Sequence, residues 1–379
     1  MAARLAPDNV RRTHQSLHHL VAEAPWNDEE MLAEVRRQVL PAMQKRSPVV
    51  AWIVRDTGFP KQGKHSVGVA RQECGQSGGR GNCQAAVSLS VSTWDSSLPI
   101  AWRLYLPEEW RHDPGRCRQA GVPEGTGFRS KAEIALEQIR QAVSRQVPGG
   151  VVLAEAGCGG GALFRQSLTQ LGLLYVVGVE PSSPVWMPGR ESLPAPARSV
   201  RQLALGLPAS SWKPVGWRQG GHGTLHSRFA AVRVRPERLD VRGAEPDPEE
   251  WLLVEWPKGD REPARYWLSS LAEEIPVQSL VKMAKLGWVA ERDHEELKQE
   301  LGLGHYEGRG WRGFHHHATL CIAAYGFLVS ERNRFSSSAR AGRIRLPAPD
   351  PPPDFLPRGS PRATRALPRR QFAPRAGSV

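Results

Sequence analysis

Six consecutive apolar residues, Val49-Val50-Ala51-Trp52-Ile53-Val54, follow Pro48 and run into Arg55-Asp56-Thr57-Gly58. A strand with one wet face alternates apolar and polar residues, so an unbroken run predicts a strand buried on both faces. A chain that carries such a strand needs layers above and below it. A second run, Val151 to Ala154, ends at Glu155 and enters a glycine-rich turn at 157–161. A helix over 162–171 and a strand from Leu173 to Val179 follow.

The rest of the chain fits around these two runs. Two helices open it: Val10, Leu17, Leu20 and Val21 share one face, and Met31, Leu32, Val35 and Val39 another. Asn27 with Glu30 gives the second helix a capping-box start, and Pro41 and Pro48 bracket its end. Strand candidates at 65–71, 83–92 and 99–106 read as an antiparallel meander with the first run. Ser130 with Glu133 caps a helix whose inner face is Ile134, Ile139, Ala142 and Val143. A Pro-rich stretch with strands at 226–234, 250–256 and 265–270 separates this set from one long helical pattern, Pro276 to about Leu301. Strands, helix, strand, helix, strand, then a late helix is the order of an RNase H-like α/β core, a mixed sheet flanked by helices. The expected division is an N-terminal helical segment (1–47), the first part of the core (48–182), a β-rich insertion (183–270), C-terminal helices completing the core (271–332) and a Pro/Arg-rich disordered tail (333–379).

Charge supports a polyanionic partner less than its total suggests. The net charge is +13, but residues 331–379 hold eleven Arg against Glu331, Asp350 and Asp354, which leaves only +5 on the other 330 residues. The tail also carries nine Pro, and it would touch phosphates non-specifically if at all. Five Cys without C-x-x-C spacing predict reduced thiols rather than zinc or a disulfide framework. No apolar run reaches the roughly 18 residues of a membrane span, and Met1 to Val10 lacks a signal-peptide pattern, so a cytoplasmic protein is expected.

Three carboxylates stand where chemistry could use them. Asp56 and Glu155 each close an apolar strand, and Glu291 continues the inward stripe Val277, Leu280, Val281, Ala284 and Trp288, with Glu295 and Lys298 beyond it. Oxygen ligands suit Mg²⁺ or Mn²⁺, and a metal pair about 3.5–4 Å apart can activate a nucleophile and steady a leaving oxygen in phosphoryl transfer. Spacing leaves the bland readings open: a strand-end Asp also makes turns, and Glu291 with Lys298 also suits a helix surface.

Longer motifs bear on the choice. The segment Asp56-Thr57-Gly58-Phe59-Pro60-Lys61, with Gly63 to Arg71 (GKHSVGVAR), resembles the first-Asp signature of DDE insertion-sequence transposases. Leu106 to Trp110 (LPEEW), Glu291-Arg292-Asp293 with Glu296 to Gly302 (ELKQELG), and Glu307 to Ala324 (EGRGWRGFHHHATLCIAA) are similar to the same family. The resemblance implies a core interrupted by a β-rich insertion, with Asp56, Glu155 and Glu291 as catalytic metal ligands for Mg²⁺ or Mn²⁺. It implies double-stranded DNA as partner (transposon ends and target), self-association on that DNA, and a place on the nucleoid. Lys61, Lys64, Arg292, Lys298, Arg309 and Arg312 are the candidate DNA contacts, Lys298 by its match to a basic residue of the wider superfamily.

Departures from the pattern bear on activity. The family reads Asp-Asp-Thr where this chain has Arg55-Asp56-Thr57, and Asp-Ala-Gly-Tyr-Gly where it has Glu155-Ala156-Gly157-Cys158-Gly159. Alternation along a strand predicts that Arg55 points away from the face of Asp56 and does modest damage. Glu155 keeps its charge but moves the oxygens by about 1.5 Å, against a tolerance of about 0.5 Å. Gly287 and Val289 replace arginines before the catalytic Glu, and a basic stretch near residue 190 is shortened. A copy with weakened catalysis is expected. Two rival readings remain. Glu155 to Gly161, with Glu180 after the next strand, resembles the first motif of S-adenosylmethionine-dependent methyltransferases. A non-catalytic DNA-binding relic is the other. No Gly-Lys-Ser/Thr follows the glycines, so a phosphate loop is excluded, and His315-His316-His317 lack the spacing of a helical metal site.

Overall fold

The apolar residues Ala51 to Val54 of β1 (Ala51–Pro60) are all buried, as their unbroken run predicts, and both edges of the strand are hydrogen-bonded. In the computed structural model, which describes residues 2–74, 79–188, 197–220, 223–237 and 248–338, this strand lies inside one continuous sheet. Before it come α1 (Ala2–Leu5), α2 (Val10–Ala22) and α3 (Asp28–Arg46). After it come β2 (Ala70–Cys74), β3 (Gly79–Ser92), β4 (Ser97–Tyr105), α4 (Glu108–Arg111), α5 (Pro114–Gln119) and α6 (Lys131–Ser144). The second apolar run is β5 (Val151–Ala154), followed by α7 (Ala156–Gly159), α8 (Ala162–Gln170) and β6 (Tyr175–Gly178). The chain continues through β7 (Pro184–Trp186), β8 (Arg198–Ser199), α9 (Val200–Leu205), β9 (Lys213–Gly220), β10 (Gly223–Pro236), β11 (Glu250–Trp256) and β12 (Arg265–Ser269). It closes with α10 (Val277–Lys285), α11 (Trp288–Gln299) and α12 (Trp311–Ser338).

The sheet order is β2-β3-β1-β5-β6-β12-β11-β10-β7-β8, with β4 on β3 and β9 on β10. Antiparallel β4, β3 and β1, then β5 and β6 parallel to β1, give the RNase H-like order in a mixed sheet flanked by helices. The first strands are not a simple meander. One edge of β3 pairs with β1, and its other edge is shared by β2 along 79–83 and β4 along 85–92. The strand expected at 65–71 begins only at Ala70. Upstream, Gly68 turns the chain at φ +70, where an added Cβ would lie 3.0 Å from the Tyr105 carbonyl, and the Val67 N–H bonds to Arg309 instead of a ladder.

The strands of the stretch 183–270 are continuous with the core sheet. β12 pairs antiparallel with β6 (Trp267↔Gly178, Leu268↔Val177), so β12, β11 and β10 extend the core sheet. Its inner face and α10 share an apolar cluster that includes Ile53, Leu153, Val176, Phe229, Leu253, Leu280 and Val289. A larger cluster holds Trp52, Val54, Val87, Ile134, Ile139, Ala154 and Val177, with α3, α6 and α12.

Several helix boundaries differ from expectation for local reasons. Pro41 lies inside α3, which runs on to Arg46. Its missing N–H removes one helical bond, while buried Val39, Leu40 and Met43 hold both sides of it to the core. Leu32 and Val35 point inward as predicted, but Met31 is exposed, and no residue of α2 is buried. The long late helix is two: Val289 N–H bonds back three residues to Leu286, and the ladder tightens at Leu286-Gly287. The helix end set at 332 moves as well, because α12 continues to Ser338. The remainder of the tail and the stretch near residue 190 lie outside the described residues. Among the described residues no helix is long and apolar enough to cross a membrane.

Candidate active site

Strand parity sorts the candidate residues. In β1, Ala51 and Ile53 join the cluster beneath α10, and Trp52 and Val54 join the cluster beneath α6. Continuing the alternation sends Arg55 to the first face and Asp56 to the second. The parallel register Ile53↔Leu153, Val54↔Ala154 brings Glu155 beside Arg55. The Arg55 Nη2 lies 3.2 Å from Glu155 Oε1 and 2.9 Å from Glu291 Oε1, and Nη1 lies 3.5 Å from the Gly287 carbonyl. Burial alone would lower the Arg55 pKa, but Glu155, Glu291 and Asp56 outweigh it and raise it further.

Asp56 has a different partner. The Lys131 ammonium, at the first position of α6 after its Ser130 capping box, donates to Asp56 Oδ2. Burial opposes the charge on Lys131, and Asp56 more than restores it. Cys158 of α7 stands close to this pair, its thiol pushed up to about 12 by burial and by the Asp56 charge. The expected trio is therefore divided: Glu155 and Glu291 meet at Arg55, and Asp56 belongs to the Lys131 side. Arg55 does point away from the face of Asp56, but that direction takes it into the site, not out of it.

The placement of α11 follows from two repeats. Seven helical residues rise about 10 Å, and three strand residues span about 10 Å. Glu291 and Lys298 can thus meet positions 55 and 58 of β1 together. Lys298 Nζ donates to the Gly58 carbonyl at 3.0 Å and lies 5.0 Å from the Phe59 ring centre. Burial pulls its pKa down to about 8. Behind Glu291, His294 Nε2 is 3.1 Å from Ser88 Oγ, and burial pushes the imidazole down to about 3. Asp293 is fully buried against Ser97, with its carboxyl raised to about 6 by burial. Nearby, Lys285 lies 2.6 Å from Glu255, and burial lowers its pKa.

The candidate DNA contacts fall into two groups. Lys61 donates to the Tyr306 carbonyl, Arg312 to the Glu23 carbonyl at 2.8 Å, and Lys298 is buried. Arg292 lies 3.5 Å from Asp293 and 5.2 Å from the Trp288 ring centre. Lys64 and Arg309 are exposed. These two lie on adjoining segments: Val67 N–H bonds to the Arg309 carbonyl, and Arg116 Nη2, stacked on Trp110, donates to the Lys64 carbonyl at 2.5 Å.

Matching motifs placed the chain among DDE proteins, and comparison with known families agrees. The family described as DDE superfamily endonuclease matches residues 1–224. The chain belongs to this family. The match spans positions 55, 56 and 155, while Glu291 lies beyond it. No curated protein matches the chain. Among solved structures, the NurA nuclease from Sulfolobus solfataricus is similar over 89% of this chain and 99% of that one, at 9% identity and a TM-score of 0.28, a likeness too distant to bear on the site.

The divalent cation that DDE kinship implies does not fit the residues as they stand. A guanidinium sits where Glu155 and Glu291 converge, and Asp56 faces the other way. Among the described residues no three His, Cys, Asp or Glu side chains group as a metal site. The three consecutive His residues hydrogen-bond instead: His315 to Leu104 N and Trp311 O, His316 to Val21 O and Trp26 O, and His317 to Gly302 O. The glycines after Glu155 divide: Gly159 and Gly160 are tightly packed, while an added Cβ at Gly157 or Gly161 would meet nothing within 4 Å. A Cβ on Gly159 would lie 2.8 Å from Ala154 Cβ, and one on Gly160 would lie 2.8 Å from the Ala156 carbonyl oxygen. The family match, which spans this turn, weighs against the methyltransferase reading.

Sequence reading missed Lys131 as the partner of Asp56 and missed Arg55 as a member of the site. The signal was present but ambiguous. Parity against the parallel run assigns Arg55 and Glu155 to one face, yet a run apolar at every position does not reveal which face α11 covers.

Proposed function

We propose that this chain is a DDE transposase by descent that binds double-stranded DNA at transposon ends on the nucleoid, self-associates there, and has weakened metal-dependent cutting and joining. The observation that carries the reading is the meeting of Glu155, from the end of β5, and Glu291, from α11, at position 55 of β1. That is a carboxylate pair at the end of the parallel strands of an RNase H-like sheet, the edge at which phosphoryl transfer on DNA could be carried out. The exposed cations Lys64 and Arg309, with Arg116 beside Lys64, supply a patch for backbone phosphates. Glu155, one methylene longer than the family's Asp, is the second reason for weakened chemistry.

A mobility-shift titration with duplexes from the DNA flanking the gene tests binding, and a nicking assay in Mn²⁺ tests cutting. Tighter binding to flanking ends than to scrambled duplex is expected, with little or no nicking. Lys64→Ala and Arg309→Ala should each reduce the salt slope of binding by about 1. Glu155→Asp alone should not restore nicking, because it leaves Arg55 in place. Equal affinity for all duplexes, or rapid nicking by the unaltered chain, would overturn the proposal.

A further inference from the structure

We propose that Arg55 is a built-in cation that occupies the metal position of this site, and that position 55, not 56, is the missing third ligand beside Glu155 and Glu291. The inference rests on the transposase reading and names what silences it.

Three observations carry the proposal. Position 55 shares a sheet face with Glu155 and Glu291, whereas Asp56 is held on the other face by Lys131. One guanidinium nitrogen, Nη2, serves both carboxylates, at 3.2 and 2.9 Å, so the positive charge bridges a strand end and a helix as a metal ion would. The charge also balances. Arg55 with two Glu carries a net charge of minus one, and three carboxylates around one divalent cation carry the same. Replacing the guanidinium by a carboxylate without a metal would instead gather three negative charges on side chains of which Glu291 is only 23% exposed.

The experiment uses the full chain, unaltered and as Arg55→Asp, stripped with EDTA. Thermal unfolding is followed with and without Mn²⁺, and Mn²⁺ binding is measured by calorimetry and paramagnetic resonance. The unaltered chain should melt at one temperature in both conditions. Arg55→Asp should melt lower in EDTA, recover in Mn²⁺, and lose its bound Mn²⁺ when Glu291→Gln is added. Should Arg55→Asp not fold, Arg55→Asn decides: it removes the cation without adding charge and should bind Mn²⁺ weakly through Glu155 and Glu291. Mn²⁺ bound by the unaltered chain and lost in Glu291→Gln would overturn the proposal. So would folded Arg55 variants that bind none. Mobility shifts in EDTA with the same proteins read the DNA function separately, so its failure is distinguishable from failure at the metal position.

Discussion

The Arg55 guanidinium lies 2.9 Å from the Glu291 carboxylate, so β1 and α11 are joined by an ion pair at the end of the sheet where β5 also delivers Glu155. The Arg55 side chain is only 14% exposed and that of Glu291 23%, which makes the contact partly desolvated, whereas Glu155 is 61% exposed. The two carboxylates therefore carry different weight.

Removing the charge on Glu291 should cost more than removing it on Glu155. Glu291→Gln leaves a mostly buried guanidinium with one solvent-screened partner, and a loss of roughly 1–3 kcal/mol is expected, below the full cost of orphaning a buried ion. Glu155→Gln should cost about 1 kcal/mol or less. Urea unfolding at neutral pH measures both; the reverse order would contradict this account of the ion pair.

Lys298 predicts a rise in stability on the alkaline side. Its folded pKa, about 8, lies below the ordinary 10.5, so the folded state sheds the proton first. Its contribution is fully present above about 10.5 and lost as pH falls through about 8. Subtracting the pH profile of Lys298→Met from that of the unaltered chain isolates this group from Lys131, whose raised pKa acts in the opposite direction. A difference that stays flat between those limits would show that Lys298 is not desolvated.

Asp293 gives the opposite sign in acid. With a folded pKa of about 6 against 3.8, it stabilises most below about pH 4 and loses that contribution as pH rises through about 6. Asp293→Asn should therefore gain on the unaltered chain over this interval, by at most roughly 3 kcal/mol. Paired urea midpoints at pH 4 and pH 7 read the gain.

The glycines after Glu155 can be separated by methyl groups. Gly159→Ala places a Cβ 2.8 Å from Ala154 Cβ and 3.2 Å from Val177 Cβ, and it should cost about 1–3 kcal/mol by overpacking. An added Cβ on Gly157 meets nothing within 4 Å, so Gly157→Ala should leave the midpoint nearly unchanged. Similar losses at both positions would remove packing as the reason for Gly159.

Much of the architecture was legible along the chain. The unbroken runs at Val49 to Val54 and Val151 to Ala154 announced strands with no wet face, and they became the adjoining parallel pair β1 and β5. Asn27 and Ser130 announced helix starts, because a side-chain oxygen that satisfies backbone N–H groups acts within three residues. Less legible was the fate of 183–270: its strands could be seen, but their attachment to β6 depends on an edge formed far away in sequence.

Sequence by itself determined the two buried strands, the capped helix starts at Asn27 and Ser130, and the DDE kinship, since periodicity, caps and motifs are local properties. Tertiary structure decided which of two neighbours, Arg55 or Asp56, belongs to the site. Alternation fixes only that they part. A strand apolar on both faces carries no mark of which face meets α11, and only the packed sheet, with Glu291 on one side and Lys131 on the other, makes that assignment.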